Sequence, residues 1–286
     1  HQAGGGRRRR RAGAGMTTAW LTVTRGDAPL VIGLPHTGTA IAADLLPQFV
    51  SPWLARRDAD WWIDRLYGFA AAMGATVVHT AISRSVIDAN RDPSGVSLYP
   101  GQVTTGLCPT ETFDGAALYR PGLDPDAAEI ERRRIRWHAP YHAALTEECT
   151  RLRALHPRVV LYDAHSIRSH VPRLFDGELP QFNIGTNSGA SCDPGLAAAV
   201  AGASGPSQIF NGRFKGGYTT RHHGNPRAGV HAVQMELAMR GYLDEPATPD
   251  ADNWPPAYDA ARAEPMVATL KTILSACLNW ATKEPS

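Results

Sequence analysis

Two histidines in this chain each follow an apolar run. His36 comes after Leu30-Val31-Ile32-Gly33-Leu34 and Pro35, and His165 closes Val159-Val160-Leu161-Tyr162-Asp163-Ala164. Short β-branched runs read as buried parallel strands, and open α/β sheets bind ligands beyond the carboxyl ends of such strands. A lone histidine at a strand end is more often an ordinary core or surface residue, but two at one edge suggest a metal site. Catalytic zinc takes three protein ligands and keeps one position open. The four cysteines, Cys108, Cys149, Cys192 and Cys277, are too scattered for a zinc knot or redox pair, so the third ligand must be a carboxylate. Asp60 and Asp64, in Asp-Trp-Trp-Ile-Asp-Arg, are the nearest candidates, although acids at a helix start commonly cap it. Asp163 is placed to orient His165 from behind.

Hydrolysis at such a centre needs a group that takes and returns a proton. Glu236 lies within the apolar run Val230 to Leu237, where a charged group is costly unless it has a partner or a task. Several arginines sit outside helical faces, among them Arg84, Arg91, Arg168, Arg213 and Arg221. Arginine grips carboxylates in a two-pronged fork, so a set of them near histidines suggests an acidic small-molecule substrate. The glycine-rich stretch from Gly212 to Gly224 fits neither a Walker motif nor a dinucleotide fingerprint. It reads as a flexible basic loop with no clear helix after it, in which at most one of His222 and His223 faces the site.

The elements that must position these residues alternate. Strands are expected at Val31 to Leu34, Ala75 to Thr80, Val159 to Ala164, Phe182 to Gly185, Ser207 to Phe210 and Val230 to Leu237, with Ser85 to Asp88 as a short edge element. Helices are expected from Ala59 to Met73, ended by Gly74, and over Asp126 to Leu155, Pro194 to Ala203 and Pro265 to Trp280. Residues 93–125 turn to Gly, Pro, Thr and Ser, and a loop that long is usually functional or disordered. The alternation predicts an α/β three-layer sandwich with a mixed, mostly parallel sheet.

A chain of 286 residues, 43% hydrophobic and 20% charged, can bury one large core. The net charge of +2 owes its sign to Arg7 to Arg11. Residues 1–15 are therefore expected to be a disordered basic extension rather than a nucleic-acid arm, with a single domain over 16–286 starting at Met16. No apolar run reaches the roughly 18 residues of a membrane span, so a cytoplasmic protein with no nucleic-acid or membrane partner is expected, its oligomeric state open.

Five motifs carry a resemblance: Pro35-His36-Thr37-Gly38, Asp60-Trp61 with Arg65-Leu66-Tyr67, Ile87-Asp88-Ala89-Asn90-Arg91, Asp163 to Ser169, and Asn211 to Gly217. Spread from about Leu30 to Leu243, they resemble the N-formylglutamate amidohydrolase family, nearest to the deformylases of histidine degradation. That family is distantly similar to zinc carboxypeptidases and aspartoacylases. The resemblance implies a phosphorylase/hydrolase-like fold with an eight-stranded sheet and Zn2+, or another divalent metal, held by His36, Asp60 and His165. Thr39 stands where the carboxypeptidases have a glutamate ligand, which is why Asp60 is the proposed substitute. It further implies Glu236 as catalytic acid, Asn90 and Arg91 as the clamp on the α-carboxylate, and Arg213, Lys215 or Arg221 for the side-chain carboxylate. The implied reaction is hydrolysis of N-formyl-L-glutamate to formate and L-glutamate, the last step of a histidine degradation route. The alternatives are another zinc N-acyl-amino-acid deacylase, a carboxypeptidase-like hydrolase, or a non-catalytic binder of acidic amino acids.

Overall fold

The computed structural model describes residues 20–283, so the extension expected over 1–15 lies outside the described residues. In chain order the main elements are β1 (Leu21–Thr24), β2 (Leu30–Leu34), α1 (Ile63–Leu66), β3 (Thr76–Thr80), α2 (Ala127–Arg133) and α3 (Ala139–Arg153). They continue with β4 (Val159–Ile167), β5 (Phe182–Gly185), α4 (Pro194–Ser204), β6 (Gln208–Phe210), α5 (Tyr218–His223), β7 (Val230–Ala238) and α6 (Ala260–Thr282). The strands form one sheet in the order β1-β3-β2-β4-β7-β5-β6. Its four central strands, β3, β2, β4 and β7, run parallel, while β1 and β5 join antiparallel. The sheet among the described residues therefore has seven strands, not the eight that the resemblance implied.

Alternation of side chains along each strand divides the core into two layers. Leu30, Ile32, Val160, Tyr162, Val233 and Met235 face α6, whose Leu270, Ile273, Leu274 and Cys277 are buried against them. Val31, Leu161 and Ala232 face the opposite way, onto Tyr141, Leu145, Cys149 and Leu152 of α3. Helices thus cover both faces, giving the three-layer sandwich. Burying a side chain such as Leu270 contributes roughly 1.5–3 kcal/mol. All four cysteines are free and buried. No helix among the described residues is long and apolar enough to cross a membrane.

Four local expectations need correction. The apolar spacing from Ala59 to Met73 does not make one helix: α1 covers four residues, and a 3-10 turn follows at Ala70–Met73. Trp62 adopts a left-handed φ of 63°, and the Asp60 amide donates to the His36 carbonyl, so the backbone breaks before α1. Ser85 to Asp88 is a turn without strand partners. Helix α6 begins at Ala260, where Asp259 caps the amides of Ala261 and Arg262, and Pro265 lies inside it. The glycine-rich stretch leads into α5. The helix expected over Asp126 to Leu155 is present as α2 and α3, joined through a π-helical turn at Arg134–His138.

Candidate active site

Period-two alternation puts Asp163 and His165 of β4 on the face opposite Tyr162 and Ala164. Parallel register sets Gln234 beside Asp163 and Glu236 beside His165 on the neighbouring strand β7. Four polar side chains therefore share one face at the carboxyl ends of the central strands. His36 follows the end of β2 at the same edge, and the broken backbone before α1 delivers Asp60 to it.

His36, Asp60 and His165 are 2%, 1% and 2% exposed. His165 Nδ1 lies 3.1 Å from His36 Nδ1 and 3.1 Å from Asp60 Oδ2, and His36 Nδ1 lies 3.6 Å from the same oxygen. The other nitrogen of each ring is committed: His36 Nε2 is 2.6 Å from Asp88 Oδ1 and His165 Nε2 is 2.8 Å from Asp163 Oδ2. A carboxylate only accepts, so both Nε2 atoms carry hydrogen and each ring turns its Nδ1 toward Asp60 Oδ2. Three lone pairs converging within a buried space repel one another unless a positive charge sits among them. Either a proton on His165 or a metal ion supplies it. Donor atoms 2.0–2.2 Å from a tetrahedral zinc lie roughly 3.3 Å apart, which this triangle matches, so the group could hold a metal ion.

The electrostatics agree. Burial alone would lower His165, but Asp163 and Asp60 outweigh it and hold the ring well above the usual histidine range. Burial would raise Asp60, yet the charges and hydrogen bonds of His36 and His165 hold it well below the usual carboxylate range. Arg84 braces the acids from behind, donating 3.3 Å to Asp60 Oδ1 and 2.7 Å to Asp88 Oδ2. Ser166 N donates to Asp60 Oδ2 at 3.1 Å, which leaves that oxygen a lone pair for a cation.

His36 and His165 form part of the wall of a cavity of about 540 Å³, counted with its open mouth, which Arg84, Arg91, Tyr99, Arg213, Gln234 and Glu236 also line. Burial pushes the Glu236 carboxyl up to about 8, with His165 drawing it down and Asp60 pushing it up. No hydrogen bond or ion pair fixes that carboxylate among the described residues. Buried, shifted and unpaired, it has the character of a proton carrier. Arg91 is tied to the long loop through Thr105 O at 2.9 Å and Thr105 Oγ1 at 3.1 Å. Arg213 donates to Leu174 O and Val103 O at 2.8 and 2.7 Å. Burial and the charge of Arg91 both lower Arg213, while Tyr99 raises it, so the two guanidiniums repel across a space that an anion would relieve.

The other expected residues fall elsewhere. Asp64 is exposed and outside the ligand group. Lys215 is not part of the cavity wall, and neither is Arg221, which donates to Gly216 O at 2.9 Å and lies against the Tyr99 ring. Asn90 touches the cavity, but its amide is engaged: Nδ2 lies 3.0 Å from His165 Nε2 and donates to Asp163 Oδ2 and Gln234 Oε1 at 3.1 and 3.2 Å, and Oδ1 accepts from Thr219 N. Gly217 makes this possible, because a Cβ there would stand 2.4 Å from Asn90 Nδ2. His222 and His223 belong to α5 and neither reaches the cavity. Asp88, Tyr99 and Gln234 had no assigned role in the sequence, and Arg84, expected among the carboxylate-binding arginines, is bound to Asp60 and Asp88 instead. Asp88 was visible within the Ile87 to Arg91 motif, but its pairing with His36 spans 52 residues.

Comparison with known proteins places these features in a family context. A family model described as N-formylglutamate amidohydrolase matches residues 28–243. The chain is 47% identical over 264 residues to an N-formylglutamate deformylase from Pseudomonas aeruginosa, covering 91% of this chain and 96% of that one. It is 44% identical over 264 residues to an enzyme of the same name from Pseudomonas putida, with the same coverage. Among solved structures, an N-formylglutamate amidohydrolase from Ralstonia eutropha JMP134 superposes with a TM-score of 0.71 at 24% identity, covering 92% of this chain and 99% of that one. A gene product from Agrobacterium tumefaciens gives 0.67 at 18% identity, covering 92% and 96%. At those identities the two structures speak for the fold alone.

Proposed function

The chain belongs to the N-formylglutamate amidohydrolase family, and from that premise we propose that it hydrolyses N-formyl-L-glutamate with a divalent cation, Zn2+ by donor type, held by His36, Asp60 and His165. The observation that carries the metal reading is the convergence of two imidazole Nδ1 atoms and a carboxylate oxygen, each group backed by a buried partner. Nitrogen and oxygen donors of this kind suit zinc, and orienting carboxylates behind ligand histidines are its usual support. When bound, such an ion supplies Lewis acidity, polarising an amide carbonyl and making water a usable nucleophile near neutral pH.

The remaining steps fall to the chain's own residues. Glu236, adjacent to His165 across the sheet, takes a proton from water as its oxygen attacks the formyl carbon. It returns that proton to the amine nitrogen as the C–N bond breaks, leaving formate and L-glutamate. A carboxyl pushed up to about 8 titrates close to the pH at which it must do both. Arg91 receives the α-carboxylate and Arg213 the side-chain carboxylate, because of the expected cations that line the cavity these two are not engaged with the Asp60 and Asp88 carboxylates as Arg84 is through its hydrogen bonds. Asn90 acts at one remove, holding Asp163 and Gln234 in place. On the same reading the reaction closes a histidine degradation route in the cytoplasm.

Steady-state comparison of N-formyl-, N-acetyl- and N-succinyl-L-glutamate tests the substrate assignment. Formylglutamate should have the highest kcat/KM, and a preference for a larger acyl group would move the chain to a different deacylase activity.

A further inference from the structure

Ala89, Asn90 and Arg91 lie in irregular backbone beside the cavity, and buried carbonyls in such a segment must find donors outside the regular ladders. All three successive carbonyls are taken. His142 Nε2 is 2.7 Å from the Ala89 oxygen, Tyr218 N is 3.2 Å from that of Asn90, and His138 Nε2 is 3.0 Å from that of Arg91. The two histidines share one helical face at i and i+4, with ring centroids 4.5 Å apart. His138 ends the π-helical turn, a local widening of the helix that recurs at functional sites.

A carbonyl only accepts, so Nε2 of both rings must carry the hydrogen. That leaves Nδ1 of His142 as an acceptor, and His223 Nε2 lies 3.0 Å from it. The result is a line of donors from His223 through His142 to Ala89. Burial, with His138 and His223 beside it, keeps His142 well below the usual histidine range, so the neutral ring this line requires is the stable form.

We propose that His138 and His142 are positioning residues for the substrate clamp, fixing the backbone from Ala89 to Arg91 so that Arg91 is aimed into the cavity before substrate arrives. The inference rests on the reading of Arg91 as the receiver of the α-carboxylate. Preorganisation lowers the ordering cost of binding, so its loss shows in KM rather than in kcat or metal content.

The test uses the full chain carrying His138→Leu, His142→Leu, the two corresponding Gln variants, and Arg91→Gln, with N-formyl-L-glutamate kinetics and elemental analysis. Each Leu variant should raise KM about tenfold, the scale of a buried carbonyl left without its donor, while metal content stays unchanged. The Gln variants, which restore an N–H donor, should recover most of that loss. Unchanged KM in the Leu variants, beside a raised KM in Arg91→Gln, overturns the positioning role alone. Unchanged KM in Arg91→Gln overturns the clamp reading beneath it. If the Leu variants fail to fold, imidazole 15N spectra of the unmutated protein decide: Nε2–H tautomers on both rings support the role, and a bare Nε2 on either ring overturns it.

Discussion

His36 and His165 meet through their Nδ1 atoms at 3.1 Å, each with its far nitrogen against a different buried carboxylate, Asp88 for one and Asp163 for the other. Neither ring can turn away without breaking a buried hydrogen bond, so both Nδ1 atoms are kept facing Asp60, in a group that could hold a metal ion. Removing either ring should dismantle that arrangement. His36→Ala and His165→Ala should each lose most bound metal, and Asp60→Asn a smaller share, while Asp64→Asn, exposed and outside the group, should keep it all. Elemental analysis reads this directly, and full occupancy in either histidine variant would remove that residue from the ligand set.

Glu236→Gln separates proton transfer from metal binding. The variant should retain metal and substrate affinity, and kcat should fall by roughly 10²-fold or more, the usual contribution of a positioned acid–base group. Loss of metal instead would make Glu236 a ligand; an unchanged kcat would place the proton carrier elsewhere.

The same residue predicts a pH effect on stability in the metal-free protein. Its folded value of about 8 lies above the unfolded carboxylate value, so the folded state holds the extra proton. The stabilisation is fully present below the unfolded value of roughly 4.3 and is lost as pH rises through about 8. In urea denaturation, the unmutated chain should therefore lose ground against Glu236→Gln between pH 5 and pH 9, by on the order of a few kcal/mol. A gap independent of pH would show that the carboxyl is not raised.

Much of this site was legible in the chain. The strand ends that carry His36 and His165 are plain because a buried strand leaves an apolar run, and Glu236 stands out as a charge inside one. From residue spacing alone Asp60 was one of two acids, and only the resemblance preferred it; the left-handed Trp62 that interrupts the expected helix is what separates it from Asp64 in space. Arg84 and Asp88 pair at a local spacing of four residues, but their contacts with Asp60 and His36 span 24 and 52 residues, which no local spacing encodes. Lys215 and Arg221 looked equivalent to Arg213 in a basic loop, and only the course of that loop into α5 separates them. Strand β1, four residues among polar neighbours, gave too short a pattern to read.

Arg91 and Arg213 should be separable by substrate. Replacing Arg91 should impair every formyl-amino acid, because each carries an α-carboxylate. Replacing Arg213 should impair N-formylglutamate while leaving the slow hydrolysis of N-formylalanine near its starting rate. A buried charge left without its partner is costly, so kcat/KM for formylglutamate in the unmutated protein should far exceed that for formylalanine. Comparable values for the two substrates would contradict a double carboxylate clamp.

Metal dependence is the centre of this account, and chelation tests it most directly. Metal per chain and activity on N-formyl-L-glutamate would be measured in the purified protein, again after chelator treatment and removal of the chelator, and again after adding Zn2+. The account predicts about one divalent ion per chain, loss of activity with the ion, and recovery on its return. Full activity in a protein shown by elemental analysis to be free of metal would contradict it.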